Sequence, residues 1–229
     1  MNAQSQAAAA PGGDVKFRYT FDLGENLKLG TRVRDASGNG RFGIVRLSGG
    51  GRLAVLPRGN PGRAAGFPRV CVGCGRGIIT VANAPALNPG TRPFSFGASV
   101  RATNAQTPAG ADPNIIAKGS TGSTGGKWKL HLLTARPRCV FQGAANQVNV
   151  TSTMRIDDGT WHRVICSRNG IVHTLTIDGV PVATSTTVYS GKTISNDPVK
   201  IGGRAANPGG SNDQFHGDLD GVFMKIATS

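Results

Sequence analysis

Hydrophobic and polar positions alternate with a period of two through much of the second half of this chain, the pattern of half-buried strands. From Trp161 onward the alternation sets His162, Val164 and Cys166 on one face and Trp161, Arg163 and Ile165 on the other. After a turn at Arg168-Asn169-Gly170, residues 171–177 place His173, Leu175 and Ile177 on one face and close in Asp178-Gly179, a hairpin signal. Further strands are predicted at 198–203 and 214–226, at 78–81, at 115–118, from Trp128 and at Val140-Phe141. Between them lie loops rich in Gly, Ser, Asn and Pro, notably 103–113, 119–126 and 204–213, where binding residues of such scaffolds gather. No window shows a convincing amphipathic helix. No run approaches the ~18 apolar residues of a membrane span.

The order of these short strands resembles the laminin G-like domains of the concanavalin A-like superfamily. The residues that carry the likeness are Trp161-His162-Arg163-Val164, Leu175-Thr176-Ile177-Asp178-Gly179, Pro198-Val199-Lys200-Ile201-Gly202-Gly203 and Phe215-His216-Gly217-Asp218-Leu219-Asp220-Gly221-Val222. Upstream it continues in Tyr19-Thr20-Phe21-Asp22, in 35–40, and in Lys118-Gly119 followed by Trp128-Lys129-Leu130. The resemblance implies an all-β, antiparallel jelly-roll β-sandwich. It implies no single activity, because that superfamily holds lectins, adhesion modules, glycanases and polysaccharide lyases. It also implies a structural calcium ion at one edge, for which Asp35 and Asn39, with Asp220 or Asp213, are the available oxygens. The segment 35–39 reads equally well as a hairpin turn whose Asx side chains satisfy backbone amides. By the same resemblance Asp220 is a structural residue at a strand bend.

A length of 229 residues suits one such domain, here expected over 14–229. Residues 1–13 lack the basic start and apolar core of a signal peptide and are expected to be a disordered tail or a processed remnant. Lys and Arg total 26 against 12 acidic residues, a net charge of +14, and only Glu25 among the acids is a glutamate. The basic residues gather near Arg52, Arg58, Arg63, Arg69 and Arg76, and again at Lys127, Lys129, Arg136 and Arg138. They point either to an anionic ligand or simply to a solvated Arg-rich surface. A specific nucleic-acid partner is not indicated, since aromatics make up 6% of the chain and no basic helix, zinc-finger or RNA-binding signature is present.

Four cysteines suit an oxidising compartment and hence secretion. Cys139, just ahead of one strand, and Cys166, within another, are expected to pair between neighbouring strands, leaving Cys71 and Cys74 to close a small loop. Zinc binding and redox activity are the alternatives. A four-cysteine zinc site needs two close pairs, however, and a redox motif should cap a helix, where Cys71-Val72-Gly73-Cys74 precedes a strand.

Catalytic constellations are scarce. A retaining glycanase strand of the E-x-D-x-x-E kind cannot be built with one glutamate. The strand signatures of alginate lyases are missing, although Tyr19, Tyr189 and four histidines leave acid and base candidates. His162 and His173 share faces with Val164 and Leu175, as core or rim histidines do. Neither a G-x-S-x-G elbow nor a phosphate loop is present; in 119–127 a tryptophan follows the lysine where magnesium binding needs Ser or Thr. The expected function is therefore a secreted, non-catalytic binding or adhesion module for an extracellular, anionic polysaccharide. Trp128, Arg204, Asn207 and Asn212 are the ligand-binding candidates, and Trp161 is assigned to the core. A polysaccharide-degrading enzyme, lyase before hydrolase, is the alternative, and a protein-interaction or surface-structural module a third.

Overall fold

The computed structural model describes residues 13–22, 27–59, 62–71, 73, 75–120, 125–143, 146–188, 192–207 and 213–228. The strands are β1 (Asp14–Tyr19), β2 (Arg32–Val33), β3 (Gly43–Ser48), β4 (Ala54–Pro57), β5 (Arg63–Gly66), β6 (Arg76–Val81), β7 (Phe94–Thr103) and β8 (Asn114–Lys118). They continue as β9 (Lys127–Leu133), β10 (Arg136–Gln142), β11 (Gln147–Thr151), β12 (Asp158–Asn169), β13 (Val172–Ile177), β14 (Val180–Thr186), β15 (Val199–Ile201) and β16 (Asp218–Ile226). Two short 3-10 turns, Pro85–Leu87 and Asn104–Gln106, are the helical pieces among the described residues.

All pairings are antiparallel, and the strands form two sheets. Sheet I runs β14-β13-β12-β7-β16-β5-β4, with β1 also on β16; sheet II runs β11-β10-β9-β8-β15-β6-β3-β2. Strands distant in sequence are neighbours in both, β7 beside β16 and β8 beside β15 for instance, as the crossovers of a jelly roll require.

The core lies between the sheets because each strand turns its apolar parity inward. In β7, Phe94, Phe96, Ala98, Val100 and Ala102 are buried in the core, while Ser95, Ser99 and Arg101 take the opposite parity. Facing them across the sandwich are Trp128, Leu130 and Leu132 of β9 and Cys139 and Phe141 of β10. The ring of Phe96 sits 4.7 Å from that of Trp128, and Phe94 and Phe96 each meet Phe141 edge-on at 5.8 Å. Burying each of these side chains contributes on the order of 2 kcal/mol.

The expected Cys139–Cys166 disulfide is present, but it does not join neighbouring strands. Cys139 lies in sheet II and Cys166 in sheet I, so the bridge crosses the core, both residues wholly buried. Inward-facing polar groups at the rim pin the loops. The Lys118 ammonium, buried, donates to Asn83 Oδ1 (2.7 Å) and to the carbonyls of Ser195 (2.7 Å) and Asp197 (2.6 Å). Arg168 lies over the Phe94 ring and donates to Thr193 Oγ1 and to the carbonyls of Gly90 and Arg92.

Candidate functional site

One row of paired residues crosses the outer face of sheet I: Trp161 on β12 lies opposite Arg101 on β7, Arg101 opposite Asp218 on β16, Asp218 opposite Gly66 on β5, and Gly66 opposite Ala54 on β4. The alternation of β12 decides that Trp161 faces outward, since Val164 and Cys166 occupy the inward parity. Trp161 is thus half-buried on the surface, not in the core as expected.

Two arginines hold its ring. The guanidinium carbon of Arg58, just beyond β4, lies 4.3 Å from the ring centroid, and that of Arg101 lies 5.1 Å away. Each is anchored in turn by an aspartate of β16. Arg101 Nε donates to Asp218 Oδ2 at 2.8 Å, with a second guanidinium nitrogen 2.7 Å from the same oxygen, and Arg58 pairs with Asp220. Further along the face Arg163 covers the Phe223 ring and donates to the Gly221 carbonyl. Burial, then the like charges of Arg18 and Arg58, lower its proton affinity to about 10, which still leaves it charged at neutral pH.

Beside this row opens a cleft of about 640 Å³, walled by Leu56, Phe67 and Pro68 and by Arg52 and Arg69, with Asp218 at its border. Glycines shape it. A Cβ on Gly66 would meet Leu56 Cδ1 at 2.7 Å and Asp218 Oδ1 at 3.2 Å, so a side chain there would intrude into this border. The β3–β4 connection that carries Arg52 packs backbone to backbone with the segment before β6, since a Cβ on Gly75 would fall 1.8 Å from the Gly51 nitrogen. The Arg52 and Arg69 side chains are exposed and make no ion pair or hydrogen bond with a described residue. Because Asp218 and Asp220 already serve Arg101 and Arg58, the cleft presents positive charge to an entering group.

The residues singled out from sequence fall in several places. Trp128 is corrected to a core residue, 1% exposed, because β9 turns it inward with Leu130 and Leu132; no ligand reaches it. Arg204 and Asn207 are exposed on the loop after β15, with Arg204 Nε 4.0 Å from Asp213. Asn212, Cys74 and Tyr189 lie outside the described residues; Cys71, at the cleft, is disulfide-bonded.

The calcium donors do not fit a cation as they stand. Asp35 accepts backbone N–H groups from Arg18 (2.9 Å), Ser37 (2.9 Å) and Arg41 (3.1 Å), Asn39 donates to the Val15 carbonyl (2.6 Å), and Asp220 is the partner of Arg58. Segment 35–39 is therefore built as the Asx turn that was the other reading. No group of three or more His, Cys, Asp or Glu side chains able to hold a metal occurs among the described residues.

His162 and His173 are both engaged by the protein. His162 bridges Asp178 (2.7 Å) and Asp158 (3.3 Å); partial burial opposes its protonation, but the hydrogen bonds and charges of the two carboxylates outweigh it and raise its pKa. His173 is wholly buried against Phe141, and burial keeps it neutral.

The two-sheet jelly roll thus carries, on one outer face, a basic cleft beside an arginine–tryptophan stack. The chain belongs to the concanavalin A-like lectin/glucanases superfamily: a laminin G sequence profile of that superfamily matches residues 75–224. No curated protein matches the chain by sequence. Among solved structures it is similar to the binding domain of Paraclostridial Mosquitocidal Protein 1, with a TM-score of 0.66 at 13% identity, over 94% of this chain and 49% of that one. It is also similar to domain 4 of AbnA, a GH43 extracellular arabinanase from Geobacillus stearothermophilus, in complex with arabinotriose (TM-score 0.65, 17% identity, 95% and 96% covered). A third likeness is to the binding domain of botulinum neurotoxin DC in complex with SialylT (TM-score 0.59, 13% identity, 94% and 48% covered). The chain thus spans about half the length of the toxin domains and nearly all of the arabinanase domain. At these identities the likeness shows the fold, and the two toxin neighbours are binding domains of that fold.

Proposed function

We propose that this chain is a secreted, non-catalytic module that binds an anionic extracellular polysaccharide in the cleft on the outer face of sheet I. The observation that carries the reading is the Arg58–Trp161–Arg101 stack, held by Asp220 and Asp218 beside a cleft whose free cations are Arg52 and Arg69. Arginine suits a carboxylate or sulfate ester because its planar fork donates two parallel hydrogen bonds. Arg52 and Arg69 engage the acid groups, and the rigid stack supplies a flat wall for sugar rings. Arg204 and Asn207 are secondary contacts on the rim loop. That domain 4 of the arabinanase was solved with arabinotriose and a toxin binding domain with SialylT supports glycan recognition as the use of this fold here.

The test is calorimetric titration with polygalacturonate, alginate and neutral arabinan, alongside an assay for new reducing ends and unsaturated product. Wild type is expected to bind the acidic polymers saturably and release no product, with W161A and R52A/R69A each weakening binding by about tenfold or more. Preference for the neutral polymer, or product formation, would overturn the reading.

A further inference from the structure

Charge is distributed unequally between the two sheets. The strands of sheet I carry Asp14, Asp158, Asp218 and Asp220 among their basic residues, whereas none of the eight strands of sheet II contains an aspartate or glutamate. The outward parity of sheet II instead carries Arg32, Arg46, Lys127, Lys129, Arg138 and Lys200, because Val33, Val45, Trp128, Leu130, Cys139, Val199 and their neighbours take the inward one.

Register aligns three of these cations. Arg32 lies opposite Ile44, Ile44 opposite Thr80, Thr80 opposite Lys200, Lys200 opposite Ala117, and Ala117 opposite Lys129. Five steps between strands make this row about 24 Å long. Lys127 and Arg138 flank its far end. Asp112, from the loop before β8, approaches there and pairs with Lys129 (3.4 Å) and His131, whereas Arg32 and Lys200 make no ion pair among the described residues. Burial and the charge of Lys129 both lower the proton affinity of Lys127, as expected where cations crowd together.

At the other end the row meets a pocket of about 320 Å³ lined by Arg32, Arg41, Phe42 and Asn83. Phe42 is 39% exposed, and the Arg32 guanidinium lies 4.4 Å from its ring centroid.

We propose that the outer face of sheet II is a second binding surface, which takes a linear chain of acidic sugars along the row from the Phe42 pocket to Lys129. A row of spaced cations suits a polymer whose charges recur along its length better than it suits a single phosphate. A lone aromatic at one end fits one sugar ring and lacks the series of platforms on which successive bases of a nucleic acid stack. This surface is independent of the cleft on sheet I, so the intact module holds two acidic chains on opposite faces.

Calorimetric titration with short polygalacturonate oligomers tests it. Wild type is expected to bind two oligomers. R52A/R69A and K127Q/K129Q/K200Q are each expected to bind one, the triple variant losing its site through a weakening of about a hundredfold at low salt. Wild-type stoichiometry and affinity in the triple variant would overturn the proposal. Loss of binding in the triple variant, with R52A/R69A unchanged, would sustain this surface and remove the reading of sheet I. R32Q/R46Q alters two exposed side chains and serves if the triple variant folds poorly; a weakening of about twentyfold supports the proposal and unchanged binding overturns it. Equal competition by duplex DNA would overturn the assignment to acidic sugars.

Discussion

Replacing Cys139 and Cys166 together by alanine removes the bridge that ties sheet I to sheet II, and the size of the effect follows from the structure. The crosslink spans 27 residues of sequence, and closing a loop of that length lowers the entropy of the unfolded chain by an amount equivalent to about 3.5 kcal/mol. Both cysteines are wholly buried, so the vacated volume adds roughly 1 kcal/mol. A total of about 4.5 kcal/mol lowers the melting temperature of a domain this size by roughly 10–15 °C. Urea unfolding followed by tryptophan fluorescence measures it, with Trp128 as the reporter inside the core. Most of the effect resides in the unfolded state, so the variant is also expected to show a steeper dependence on urea, its denatured chain being more expanded. A loss below about 1 kcal/mol, or the full loss with an unchanged urea dependence, would refute this reasoning.

Three other outcomes are expected. Trp128→Ala costs about 4 kcal/mol of stability in urea titration yet leaves polysaccharide affinity at low temperature unchanged, whereas Trp161→Ala reverses that pattern. Lys118→Ala strands Asn83 and the carbonyls of Ser195 and Asp197 without their donor and costs about 2–4 kcal/mol, read in the same assay. The folded-state pKa of His162 is raised above 6.5, so its contribution to stability is complete below pH 6.5 and is lost as pH rises through the folded value; melting curves across pH 5–8 should show that component in the wild type and not in His162→Gln.

Much of the fold was legible because parity is local. The split of His162, Val164 and Cys166 from Trp161, Arg163 and Ile165 is the split the sandwich makes, and the Asp178-Gly179 hairpin stands where alternation placed it, while β16 begins at Asp218, four residues later than the expected 214–226. That same parity already set Trp161 apart from the core, and the signal was available. The same signal was available for Trp128, which shares its face with Leu130 and Leu132 opposite Lys127, Lys129 and His131.

The sequence by itself determined which residues alternate on the strands from Trp161 onward, because alternation depends on neighbours two to ten residues apart, and the order of its motifs along the chain pointed to the class of fold. Only the tertiary structure decided that Cys139 and Cys166 meet across the core, that Arg58 and Arg101 converge on Trp161, and that Asp218 and Asp220 are the anchors of those arginines. Arg58 and Asp220 are 162 residues apart in sequence and Arg101 and Asp218 are 117 apart. Jelly-roll crossovers set such distant strands side by side, and no short-range pattern encodes which will be neighbours. The segregation of carboxylates from sheet II has the same origin: strands scattered from Arg32 to Ile201 share a face only once the chain has folded.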